Sequence, residues 1–131
     1  MIKELVKYIS NQLGYVIGDD IYAGFVRTDA KDNIVAVLER SGGSVYGDLE
    51  DRVDYVVQVY SRNKDYWEGR EELIRVYNLL HRIEGVELPV VDGEEYVLMV
   101  GEAMAFPQFI GIDDKKRFEF SCNFNLKIRK K

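Results

Sequence analysis

The chain has 131 residues, 47% of them hydrophobic and 12% aromatic, with a formal net charge of −5. That length fits one domain spanning residues 1–131 with a core that needs no metal or disulfide; the composition excludes a disordered chain, and the charge excludes a broad basic groove for nucleic acid. Cys122 is the single cysteine, which excludes an internal disulfide and fits a reducing compartment, while Met1-Ile2-Lys3-Glu4 opens no secretory leader and no apolar run approaches the roughly 20 residues of a membrane span.

Ile2, Leu5, Val6, Ile9 and Leu13 recur at helical spacing, with Lys3, Glu4 and Lys7 opposite them. The spacing predicts a helix over 2–13, stopped by Gly14 in the left-handed position just past its end. Gly18-Asp19-Asp20 reads as a turn, Ile21–Arg27 as a short strand, and Thr28–Asn33 as polar turn. Ile34-Val35-Ala36-Val37-Leu38 is apolar on both faces, as a central strand must be.

Ser41–Glu50 reads as a long hairpin tip. Its Gly42-Gly43-Ser44 is no phosphate loop, because the glycine-lysine pattern and a following helix are both missing. Asp51–Ser61 resumes as a strand, with Val53, Tyr55, Val57 and Val59 on one face. It is expected to pair antiparallel with residues 34–40.

Over residues 64–84 the period turns helical, with Tyr66, Gly69, Leu73, Val76, Tyr77, Leu80 and Ile83 on one stripe. Asp65 with Glu68 resembles a capping box, Asn63 is a rival cap, and Gly85 is the expected stop. Glu95–Ala105 is the next strand, and Phe106–Asp114 reads as a loop.

Arg117–Arg129 is the most regular segment. Phe118, Phe120, Cys122, Phe124, Leu126 and Ile128 alternate without a break with polar residues, so a one-residue slip would turn every Phe outward. A strand of that length spans roughly 40 Å. It either overhangs its neighbours and offers an edge to another subunit, or bends within one sheet. The predicted architecture is α+β: a mainly antiparallel sheet of about five strands, two helices on one face, in the order α-β-β-β-α-β-β.

No catalytic set stands out. His81 is the one histidine and suits a helix C-terminus as a cation. Cys122 falls on the apolar face of its strand, as a small core residue would. The acidic pairs Asp19-Asp20, Glu71-Glu72, Glu94-Glu95 and Asp113-Asp114 are sequence neighbours that do not face each other within an element. No catalytic, cofactor-binding or metal-ligating residue is therefore nominated.

What remains is surface. The candidate interface residues are Gly43, Val45, Tyr46 and Leu49 in the hairpin tip, Phe106, Pro107, Phe109, Ile110 and Ile112 in the apolar loop, and Arg117, Lys127 and Arg129 on the final strand. The apolar loop either meets a partner or folds back as a lid over the sheet. Nine tyrosines fit either strands or surfaces half buried by a partner.

The order of elements resembles the tail-terminator and tail-completion proteins of long-tailed bacteriophages, including small minor capsid proteins. The resemblance rests on the first helix, Gly18-Asp19-Asp20-Ile21-Tyr22, the strand Asp54–Tyr60, a helix from about Asp65, and Phe106-Pro107 before an alternating final strand. It implies a self-assembled ring, usually a hexamer, at the head-proximal end of the tail, between tail-tube protein and head connector. DNA would pass its lumen without specific binding, and an acidic lumen would let it slide. It implies a virion protein, assembled in the bacterial host cytoplasm, with no cofactor and no membrane. The alternatives are a neck or head-completion protein of the same region, and a small-molecule-binding domain or enzyme using carboxylates.

Overall fold

The computed structural model describes residues 1–45 and 52–131. In chain order the elements are α1 (Ile2–Leu13), β1 (Ile21–Ala23), β2 (Ile34–Glu39), β3 (Arg52–Asn63), α2 (Tyr66–Leu80), β4 (Glu84–Glu87), β5 (Tyr96–Ala103), β6 (Gln108–Ile112) and β7 (Phe118–Lys130). The α+β reading and its order hold, with two additional short strands, β4 and β6, that bring the sheet to seven among the described residues. The sheet runs β1-β2-β3-β7-β5-β4, and β6 also pairs with β7. Among the strands of the described residues only β1 and β2 run parallel.

Helix α1 forms where the periodicity placed it. Gly14 ends it at φ 77°, and its N–H donates to Ser10 O. Helix α2 begins at the Asp65 cap, whose carboxylate accepts from Glu68 N–H at 3.0 Å. The rival Asn63 serves the same turn, since its side-chain oxygen accepts from Asp65 N–H at 2.9 Å.

The far end of α2 departs from expectation. The helix stops at Leu80, Arg82 turns left-handed at φ 66°, and Gly85 lies inside β4. His81 Nδ1 accepts from Ala103 N–H at 3.0 Å. That bond ties the end of α2 to the end of β5. Ile83 fits the helical stripe, yet it reaches the same core from the turn that follows.

Alternation decides the sheet. Phe120, Cys122, Phe124, Leu126 and Ile128 are at most 3% exposed and face the helices. Leu5, Val6 and Ile9 of α1 and Leu73, Val76 and Leu80 of α2 complete that core. Each such large side chain is worth about 1.5–3 kcal/mol when fully buried. On the opposite face Tyr22, Ile34 and Ala36 form a second cluster with Val26, Ala30, Leu38 and Tyr60. Strand β2 is thus buried on both sides, as its unbroken apolar run requires.

The overhang considered for the final strand does not occur. β7 pairs with β3 from Phe118 to Arg129 on one flank, while β5 and β6 share the other. The longest strand among the described residues is the centre of the sheet, flanked on both sides by paired strands. The strand expected over 21–27 is also shorter, because Gly24 turns the chain at φ 85°.

Candidate functional site

The segment read as an apolar loop contains a strand. Gln108 pairs with Ser121, Phe109 with Phe120, Gly111 with Glu119 and Ile112 with Phe118, with a bulge between Phe109 and Gly111. The bulge breaks the alternation that would have revealed the strand. Gly111 adopts φ 149°, in the range that favours glycine.

The segment is partly a lid and partly surface. Tyr66 is the hub, with ring centroids 5.6 Å from Phe109, 5.7 Å from Phe118, 5.1 Å from Phe120 and 4.9 Å from Trp67. Such edge-to-face pairs fix ring orientation beyond their contribution to burial. Phe109 still stands 47% exposed, with Ile110 at 51%, Ile112 at 58% and Trp67 at 69%. Phe106 lies edge-on to Tyr77 at 5.1 Å, and the Arg70 guanidinium approaches its ring at 6.0 Å. Pro107 is half-buried beside it. The result is an exposed apolar surface running from the start of α2 along β6, of the kind that marks partner sites.

Trp67 was missing from the nominated residues. The available signal was its offset from the buried stripe: it shares the polar side of α2 with Glu71, Arg75 and Asn78. An aromatic on that side is a surface feature.

The remaining candidates fall elsewhere. Val45 is exposed at the far end of the β2–β3 hairpin and bridges to Val53. Gly43 has φ 94°, and an added Cβ would run into the Asp54 carbonyl, so only glycine fits there. Tyr46 and Leu49 lie outside the described residues. Lys127 and Arg129 are exposed on the sheet face away from the helices. Arg117 is committed within the chain: its Nε meets Asp113 at 2.8 Å, an NH group meets Asp32 at 3.2 Å, and the side chain is 11% exposed. Burial opposes the charge on Asp113, but hydrogen bonds from Arg117 and Lys115 outweigh it and hold the carboxyl below its ordinary value. Val45 and β6 lie toward opposite ends of β3, and the structure does not bring the described candidates into one site.

A cavity of about 180 Å³ lies between the turn after α1, β2 and α2. Lys31, Asp20, Tyr15 and Glu72 of its lining are engaged with one another. Lys31 meets Asp20 at 2.6 Å, and the Tyr15 hydroxyl donates to Glu72. Among the described residues no group of three or more His, Cys, Asp or Glu is placed to hold a metal ion. Cys122 is buried, and loss of solvent pushes its thiol up to about 11, so it is a core residue and not a ready thiolate. Among the described residues no helix is long and apolar enough to cross a membrane.

A search of curated proteins finds no match. The sequence profile of a family described as bacteriophage tail terminator protein matches residues 8–130. That span runs from the middle of α1 to the end of β7 and takes in the whole sheet. The chain belongs to the bacteriophage tail terminator family, a structural family of phage tail proteins.

Proposed function

We propose that the chain forms a ring, most simply a hexamer, at the head-proximal end of a phage tail. There it ends polymerisation of the tail tube and joins the tail to the head connector. The observation that carries this reading is the family match over residues 8–130. The exposed apolar surface of Trp67, Phe109, Ile110 and Ile112 supports it, because such a surface needs a partner. DNA passes the lumen without sequence readout, and the net charge of −5 fits a lumen that repels phosphate. Assembly takes place in the host cytoplasm, and the product is part of the virion.

Removal of the gene from its phage tests the reading. Electron microscopy should show tails of uncontrolled length. Tails of normal length that fail to join heads would replace it with the neck-protein alternative. A lumen lined mainly by Lys and Arg in the assembled ring would sink the acidic-lumen part alone.

A further inference from the structure

Among the described residues β1, β4 and β6 bound the sheet, and they differ in how their edges are treated. β1 is already covered: Gly18 N–H donates to Ile21 O at 2.9 Å, and Ile17 bridges Ile21. β4 carries Glu84 and Glu87, both exposed, and charge on an edge strand discourages pairing. β6, Gln108-Phe109-Ile110-Gly111-Ile112, carries no charge. Among the described residues no backbone hydrogen bond reaches its side away from β7. An uncharged strand with exposed Phe and Ile is a template for another strand.

A second edge, carrying one charge of each sign in Glu39 and Arg40 and unpaired among the described residues, lies at the opposite corner. β1 covers β2 only over Val35–Val37, and Gly24 N–H reaches Val37 O at 2.8 Å. Beyond that point the hairpin continues on its β3 side, through Arg40 N–H to Val56 O and Asp54 N–H to Ser44 O. On its other side, from Leu38 to Val45, no strand is paired among the described residues. Val45 at its end is 84% exposed.

We propose that the outer edge of β6 pairs with the Leu38–Val45 edge of a second copy of this chain, joining copies head to tail. The inference rests on the ring reading and specifies its contact. One chain cannot make this contact with itself. The two edges lie on opposite sides of the sheet, separated by β3 and β7. They also lie at opposite ends of β3, whose 12 residues span about 40 Å. Two different patches that meet between identical copies make a heterologous interface, which closes into a ring or runs on as a filament.

Copies carrying Ile110→Cys are mixed with copies carrying Arg40→Cys or Val45→Cys and oxidised. The expected result is a covalent dimer in the mixture and none in either copy alone. Ile110→Lys with Ile112→Lys, both at exposed positions, should reduce the assembly to monomer by light scattering while leaving the far-UV circular dichroism of the fold unchanged. The proposal is overturned if assembly forms without any of these cross-links, if the lysine variant assembles normally, or if the unmodified chain stays monomeric at every concentration. Tail length in the phage reads the terminator role separately. Uncontrolled tails on gene removal together with rings lacking the cross-link would reject the edge pairing and keep the function.

Discussion

Gly69 lies so close to Asn63 that a Cβ built on it would stand 2.8 Å from the Cβ of Asn63 and 3.1 Å from the ring of Phe120. The neighbourhood is fully committed: Ser61 Oγ donates to Gly69 O at 2.9 Å, and Asn63 is 2% exposed. In an open helix interior alanine would be favoured over glycine by about 1 kcal/mol. Here the added methyl meets an atom fixed to the β3 backbone, and overpacking of that kind costs about 1–3 kcal/mol. Gly69→Ala should therefore lose stability by about 1 kcal/mol in urea unfolding. A stabilised variant would show that α2 can move away from β3.

Phe124 and Trp67 should separate core from surface. Phe124 is 0% exposed, and Phe124→Ala should cost about 3–5 kcal/mol. Trp67 is 69% exposed, and Trp67→Ala should stay within about 0.5 kcal/mol in the free chain. Equal losses in chemical denaturation would contradict the orientation of α2.

Trp67 is the only tryptophan, so it reports on its surroundings without labelling. Its emission should be that of a solvated indole in dilute protein and shift to the blue when a partner covers the β6 surface. Phe109→Asp should abolish the shift while far-UV circular dichroism is retained. A shift that survives in the variant would place the contact elsewhere.

Tyr15, Tyr55 and Tyr60 give the fold an alkaline limit. Tyr15 and Tyr60 are raised above their ordinary value, first by burial and then by the hydrogen bonds they donate to Glu72 and Glu119. In the unfolded chain each ionises near pH 10, to within about a unit. The unfolded state therefore gives up these protons first, and stability falls as pH climbs above about 10 toward the folded values. Below that the contribution is fully present. Unfolding midpoints between pH 8 and 11 should drop less steeply in Tyr15→Phe with Tyr60→Phe. An unchanged slope would reject the assignment.

Cys122 should resist thiol reagents at pH 8 in the native chain and react on unfolding. Its Sγ donates to Ala105 O at 3.2 Å beneath the β5–β6 connection. Rapid native labelling would mean that this connection opens readily.

Where residues follow one period, the fold is legible in the sequence. β7, α1 and the β2–β3 hairpin each carry their own pattern, and the structure repeats it. β4 and β6 do not. Glu84-Gly85-Val86-Glu87 has little strand preference of its own and is held by β5, while the bulge at Ile110 hides β6 until β7 is beside it. The end of α2 is set by distant residues as well: Gly101 brings its backbone against the Leu80 carbonyl, where a Cβ would come within 2.5 Å. The candidate surface was half legible. Phe106, Phe109, Ile110 and Ile112 are apolar in a stretch with no helical or alternating period, which is a signal; that Trp67 joins them depends on how α2 lies over the sheet.

The position of β7 also governs how the chain reaches its fold. Its pairing joins Arg52 to Arg129 and Asn63 to Phe118, residues from the middle of the chain to residues near its far end. Such distant closures are slow compared with hairpins and helices. During synthesis the β2–β3 hairpin and β5 are complete before their shared neighbour has been made. Until it arrives they wait as bare edges, prone to pair between molecules. Refolding yield should therefore fall steeply with protein concentration, and dilution will rescue it.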